Sequence, residues 1–147
     1  MITKSGPRVL EYNVRFGDPE SQSLLPLLES DLAEIMLACT QGRLDETELK
    51  ISSKSAVTVV VAAGGYPGGY AKGIEMKLDP VPEGIILFHA GTALAGGSLK
   101  TAGGRVIAST AVGDSLEDAV RKAYEGVDAI HFDKMQYRKD IAARALR

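Results

Sequence analysis

Apolar and polar positions fall into short runs along this chain, and their period changes from one run to the next. Over residues 8–16, Val9, Tyr12, Val14 and Phe16 alternate imperfectly with Arg8, Glu11, Asn13 and Arg15. The β-branched and aromatic content, with Ser5-Gly6-Pro7 ahead of it, predicts a strand whose polar residues share one face. Gly17-Asp18-Pro19 ends that run, because proline disfavours helix for the residue before it and can itself open a helical turn. Leu24, Leu25, Leu27 and Leu28 form a short helical patch interrupted by Pro26. Next comes a predicted helix with Ser30 as N-cap and Asp31 and Glu34 in its first turn. Leu32, Ile35, Met36 and Cys39 recur on its apolar stripe, and Gly42 stands at the C′ position.

Residues 43–53 are polar, and the composition shifts across them from leucine-rich helix to valine-rich strand, so two units are expected, 1–50 and 51–147. Ser55–Ala63 is too short and too rich in valine to favour a helix and reads as a strand. The glycines of Gly64-Gly65-Tyr66-Pro67-Gly68-Gly69 then turn the chain. Residues 84–90 predict another strand, Gly96-Gly97 a hairpin tip between it and 99–101, and 105–112 a further strand after Gly103-Gly104. Ser115 with Asp118 resembles a capping box. It leads a helical stripe of Leu116, Ala119, Val120, Ala123, Tyr124 and Val127 that should cover one face of an antiparallel sheet. The expected class is α+β.

Composition narrows the function classes. A chain of 147 residues has room for one ordinary core and little more. Apolar residues at 45% and charged residues at 24% are those of a globular chain, while 16 glycines and the absence of tryptophan point to tight turns and close backbone approaches. A net charge of -2 supplies no positive field for a nucleic-acid backbone. Residues 1–50 hold five basic and nine acidic side chains, a bias suited to a cation or an amine. One cysteine cannot close an internal disulfide, and no apolar run reaches the roughly 18 residues that span a bilayer. The segment 1–10 lacks the apolar stretch of a secretory signal, so a cytoplasmic protein without membrane or nucleic-acid partners is expected.

The first chemical suggestion is Glu11 with Asn13. On a strand, residues two apart point the same way with Cα atoms ~7 Å apart, so a carboxylate and an amide oxygen would converge. Hard oxygen donors suit Mg²⁺, which commonly takes one or two protein carboxylates and leaves its other positions to phosphate and water. Arg15, one step further on that face, suits phosphate oxygens. The same three residues equally describe the solvated face of an edge strand. Asp18 and Glu20 around Pro19 could meet an ammonium group or serve only as turn and helix-start acids.

Gly103, Gly104 and Arg105 also admit two readings. Glycine amides and a guanidinium, with Lys100 as a nearby point charge, would hold a phosphate; alternatively they form a turn before a surface arginine. The flanks Leu99 and Thr101 do not resemble those of a biotin- or lipoyl-carrying lysine. His89, at a strand end, reads as hydrogen-bonded structure, and His131 carries less signal still. Cys39 reads as core, and Tyr137, Arg138 and Lys139 as a tie between the C-terminus and a neighbouring domain or as a solvated tail.

The run Arg15-Phe16-Gly17-Asp18-Pro19-Glu20-Ser21-Gln22 resembles the signature octapeptide of the phosphoribosylamine-glycine ligase (glycinamide ribonucleotide synthetase) family of ATP-grasp enzymes in purine biosynthesis. Further blocks resemble the family in order: Leu24 to Asp31, the strand start at Ser53, Gly64-Gly65-Tyr66-Pro67-Gly68, Phe88-His89-Ala90-Gly91-Thr92, Gly103-Gly104-Arg105-Val106 and Met135-Gln136-Tyr137-Arg138-Lys139-Asp140. The likeness spans essentially the whole chain. It implies the last strand and helices of an ATP-grasp core over 1–50, followed by a C-terminal antiparallel domain covered by one helix. It implies Glu11 and Asn13 as ligands of Mg²⁺ or Mn²⁺, Arg15 beside the transferred phosphate, Asp18 near the nucleophile, and Lys100, Gly103, Gly104 and Arg105 toward the 5′-phosphate of the ribosyl substrate. In the family's reaction ATP converts the glycine carboxylate to an acyl phosphate, which the amine of 5-phosphoribosylamine attacks with loss of phosphate.

Several blocks are nearer to the fungal-type version, fused to aminoimidazole ribonucleotide synthetase. Compared with the family, the N-terminal domain and the ATP-grasp lid are missing, so a fragment inactive by itself is expected, with the missing N-terminal half as its partner. The competing expectation is a non-catalytic module that binds phosphate or docks on another protein. An edge strand over 8–16 without sheet partners is expected to be less ordered than the C-terminal domain.

Overall fold

The valine-rich run becomes the central strand of the structure, a computed structural model that describes residues 1–12 and 14–147. In chain order, β1 (Ile2–Thr3) and β2 (Gly6–Pro7) form a small antiparallel hairpin. They are followed by α1 (Glu20–Leu24), a 3-10 turn (Leu25–Leu27), α2 (Leu32–Thr40) and a second 3-10 turn (Leu44–Glu46). Then come β3 (Ser55–Ala63), β4 (Lys77–Leu78), β5 (Ile85–His89), β6 (Thr92–Ala95), β7 (Ser98–Thr101), β8 (Arg105–Gly113), α3 (Leu116–Asp128), β9 (Ile130–His131) and β10 (Met135–Tyr137). The main sheet runs β10-β3-β8-β5, and every neighbouring pair is antiparallel. The class is therefore α+β, as expected.

Strand period two sorts β3 onto two faces. Val57, Val59 and Val61 point to α3 with their β8 partners Ala111, Ser109 and Ile107. From α3, Ala119, Ala123 and Val127 close the core, joined by Met76, Ile85, Ile130 and Phe132. Small residues let the helix lie close: Ser109 Oγ, fully buried, donates to the Ala123 carbonyl at 2.7 Å, and a side chain at Gly126 would meet Ser109 and Ile85. Ser115 caps α3 by accepting from the Asp118 amide, as its spacing predicts.

The opposite face holds Thr58, Val60 and Ala62, and α1 packs there. Ser23 Oγ lies 2.7 Å from Thr58 Oγ1, and Thr58 Oγ1 lies 2.8 Å from Thr110 Oγ1, which is fully buried. The chain of hydroxyls satisfies polar atoms that burial would otherwise strand.

Four local expectations need correction. The described residues of 8–16 carry no strand, and Val9, Leu10, Tyr12 and Val14 are exposed. A strand is held by a neighbour's ladder of hydrogen bonds, and among the described residues of this segment only Arg8 exchanges backbone bonds with another segment, with Met1. The cap of α2 is Asp31 rather than Ser30: Asp31 Oδ1 accepts from Ala33 N at 2.7 Å and Glu34 N at 3.3 Å. Ser30 Oγ instead bonds the Glu48 carbonyl and the Lys50 amide, fastening the polar stretch back onto the helix start.

Gly96-Gly97 joins β6 to β7, a separate hairpin, because β5 stays with β8 and the chain leaves the main sheet at Gly91. Cys39 is exposed. The stripe of α2 that turns inward is Leu32, Ile35 and Ala38, and only Ala38 is buried, so Met36 and Cys39 fall outside it.

Candidate functional site

A β-bulge builds the site. In strict register, alternation would place Arg105 on the same face as Ile107, against α3. The pairing of β3 with β8 instead slips between Val61 and Ala62: Val61 opposes Ile107, but Ala62 opposes Arg105. One extra residue in a strand re-aims the side chain beyond it. Arg105 therefore emerges with Thr58, Val60 and Ala62 on the face that α1 covers, and together with Pro19, Tyr66 and Tyr137 these residues line a cleft of about 560 Å³.

At the mouth of the cleft, Arg105 meets Asp18. Arg105 Nη2 donates to Asp18 Oδ2 at 2.8 Å and Arg105 Nη1 to the Asp18 carbonyl at 3.1 Å, across 87 residues of sequence. The two side chains are 39% and 62% exposed, so water screens the pair while the geometry holds it. The turn that carries Asp18 is itself anchored, by the Ser21 amide on the Gly17 carbonyl at 2.9 Å and by the Ser23 hydroxyl on Thr58. On the far rim, Arg138 grips Asp140 with two bonds of 2.9 and 2.8 Å, which hold the Asp140 carboxyl below the usual carboxylate range. Tyr124 Oη donates to the Arg138 carbonyl and accepts from the Ile141 amide, so the stretch after β10 is tied to α3 of the same domain.

Of the residues named from sequence, Asp18 and Arg105 are brought together. Glu11 is exposed in a segment without regular structure, and Asn13 lies outside the described residues. Arg15 is exposed and donates to its neighbour's carbonyl, Phe16 O, at 3.1 Å. Lys100 sits in β7 opposite Ala93, with Glu75 bridging to it along the backbone. The lack of side chains at Gly103 and Gly104 has a packing cause. Gly103 crosses Gly91, whose carbonyl accepts from the Ala102 and Gly103 amides, and Gly104 is buried against the Tyr66 and Tyr70 rings. The donors proposed for a divalent cation fit it in kind, a carboxylate and an amide oxygen. No group of three or more His, Cys, Asp or Glu converges among the described residues, so these two donors would leave the ion's other positions to phosphate and water.

The histidines behave as structure. His89 Nδ1 lies 3.0 Å from Thr92 Oγ1. His131 Nε2 lies 2.7 Å from Asp79 Oδ2, with Lys77 Nζ 2.7 Å from Oδ1, and these partners, Lys77 foremost, keep the Asp79 carboxyl below its ordinary range. No signal within one run of sequence could have found the Asp18–Arg105 pair or the Ser23–Thr58–Thr110 chain, because each joins segments tens of residues apart. Among the described residues no helix is long and apolar enough to cross a membrane.

Comparison with known proteins identifies this architecture. Over 147 residues the chain is 60% identical to a bifunctional purine biosynthetic protein of Schizosaccharomyces pombe, covering 99% of this chain and 19% of that one. It is 48% identical to a phosphoribosylamine–glycine ligase of Caldanaerobacter subterraneus, covering 97% of this chain and 34% of the relative. The crystal structure of phosphoribosylamine–glycine ligase from Thermotoga maritima superimposes with a TM-score of 0.73 at 37% identity, over 95% of this chain and 34% of that one. The chain thus spans between about a fifth and a third of the length of these relatives. The family model described as phosphoribosylglycinamide synthetase, C domain, matches residues 56–144, the sheet, its covering helix and the arginines of the cleft, and the chain belongs to that family.

Proposed function

We propose that the chain is the C-terminal part of an ATP-dependent ligase that joins 5-phosphoribosylamine and glycine to give glycinamide ribonucleotide, ADP and phosphate. Residues 1–50 are then the end of the ATP-grasp core and 51–147 the ligase's C-terminal domain. The observation that carries this reading is the meeting of the two segments at Arg105 and Asp18, one from the domain that matches the family model and one from the octapeptide before it. Arg105, with Lys100 as a nearby charge and the close-packed Gly103-Gly104 turn that positions it, is the holder of the ribosyl 5′-phosphate. Asp18 stands beside the amine, and Arg15 beside the phosphoryl group in transfer.

Glu11 and Asn13 would hold Mg²⁺ or Mn²⁺ on the nucleotide. When bound, such an ion neutralises charge on the phosphoryl oxygens, a task that phosphoryl transfer demands more than a strong base. The remaining walls of the site and the adenine pocket belong to the part of the relatives that precedes this segment.

Reconstitution tests the proposal. The chain is combined with the preceding part of the ligase, and ADP release is followed with and without glycine and phosphoribosylamine. Activity is expected on mixing and not from the 147-residue chain alone. Glu11→Ala is expected to abolish turnover with the fold intact, and Arg105→Ala to raise KM for phosphoribosylamine about 10- to 100-fold, the effect of losing a charge-assisted pair. A module without catalysis would leave every ATP-dependent rate unchanged under these substitutions.

A further inference from the structure

We propose that Asp18 is an internal occupant of the anion site on Arg105, and that a phosphate monoester binds there by displacing the Asp18 carboxylate and freeing it for the substrate amine. This rests on the reading of Arg105 as the holder of the ribosyl phosphate. Three observations lead to it.

The bulge aims Arg105 into a cleft where its planar donor fork is half-exposed, and the anion presented to the fork comes from the protein itself. An ion pair this exposed is weakly held, whereas a phosphate monoester brings up to two charges and three acceptor oxygens to the same donors.

The backbone of the turn does not depend on the carboxylate. Gly17 O accepts from the Ser21 amide and Ser23 bonds Thr58, anchors that do not involve Arg105, and beside Arg105 the carboxylate takes a long bond of 3.4 Å from Gln22 Nε2, so the side chain can rotate away while its Cα stays in place. A carboxylate released at that position is an acceptor within reach of the same cleft, and the N–H donors of an amine attached to the phosphate-bearing sugar are the group it can then meet. Binding of the phosphate end of one substrate is in this way coupled to presentation of an acceptor at its reactive end.

The test uses the 147-residue chain and ribose 5-phosphate as the probe, with the Arg105 Nε–H signal followed by NMR during titration. Asp18→Asn removes the competitor and is expected to tighten ribose 5-phosphate binding about 2- to 5-fold, the range that a displaced exposed pair allows. Glu20→Gln removes a neighbouring carboxylate that does not bond Arg105 and should change affinity far less, which separates displacement from general charge repulsion. An affinity for Asp18→Asn equal to or weaker than the original, or a gain matched by Glu20→Gln, overturns the exchange. Arg105→Ala distinguishes the two levels. If it abolishes binding and Asp18→Asn gives no gain, the phosphate site stands and the displacement is wrong. If Arg105→Ala binds the probe unchanged, the phosphate reading falls and the displacement with it.

Discussion

Residues 1–50 and residues 51–147 have similar apolar content, yet they bury it differently. In the C-terminal unit Val59, Val61, Val106, Ile107, Val127 and Ile130 are fully buried between sheet and helix. In the first unit Ala38 is the one buried hydrophobic residue among those described, while Val9, Leu10, Tyr12, Val14, Met36, Leu37 and Leu49 are exposed. A near-wholly apolar hollow of about 260 Å³, lined by Phe16, Leu24, Leu28, Ile35 and Ile51 among others, opens on that side. Residues 51–147 close a core with their own side chains; residues 1–50 leave most of their large apolar side chains uncovered. The longer relatives fit this contrast, since the chain spans only part of their length.

The largest effect expected from this contrast is at Ile107. Fully buried under α3, Ile107→Ala should cost about 2–5 kcal/mol through lost transfer energy and the cavity left behind. Met36→Ala, on the exposed side of α2, should fall within about 0.5 kcal/mol. Urea denaturation of both variants checks the pair. Similar losses would mean that the first unit contributes to the same core as the second.

The seam between the units comes next. Thr58→Val keeps the shape of the side chain and removes the central hydroxyl, leaving Thr110 Oγ1 buried without its partner at a cost of about 1–3 kcal/mol. Hydrogen exchange at Ser21–Leu24 should accelerate while β8 amides stay protected, and Thr58→Ser should restore protection. If the α1 amides exchange at an unchanged rate in Thr58→Val, the hydroxyl chain does not hold the units together.

How much of this could be read from the chain follows the same line. Ser55–Ala63, the strand after Gly104 and the helix capped by Ser115 were legible because their partners lie within the sequence, so each periodicity meets the surface it was patterned for. The imperfect alternation over 8–16 suits a strand, but the described residues of that segment carry no strand pairing. Two choices turned on a single residue. Ser30 and Asp31 are both good caps, and the one with extended backbone and two amides ahead of it won. The bulge that aims Arg105 leaves no mark in the alternation, since Val106 and Ile107 are both apolar and both buried. Of the candidate site, the residue types were legible from family likeness, and the pairing of Asp18 with Arg105 was not.

The helix caps give a smaller and local comparison. Asp31→Ala removes the acceptor of two amides and should cost about 0.5–2 kcal/mol of helix stability. Since α2 adds little to the core, the loss should appear as faster exchange within 32–40 and leave the thermal midpoint of the C-terminal unit unmoved. Ser115→Ala removes a single acceptor from a helix that the core holds, and should shift that midpoint. Equal shifts from the two caps would erase the distinction between the units.

The smallest effect is the response to acid, and its sign is fixed by Asp118. Lys122 first, then Arg121, hydrogen-bond the Asp118 carboxylate and hold its pKa below the ordinary carboxylate value. A carboxyl depressed in the folded state contributes stability that is fully present above its unfolded pKa, about 3.9, and is lost as pH falls below that value. Asp118→Asn should therefore lower the thermal midpoint slightly at pH 7 and by less as the pH is taken down toward 2 and the original carboxyl takes up its proton. The difference should be smaller in high salt, because Arg121 is exposed and Lys122 and Asp118 are only half-buried, so their attraction is screened. A midpoint difference between the two proteins that persists unchanged from pH 7 to pH 2 would assign the role of Asp118 to packing at the first turn of α3 rather than to its charge.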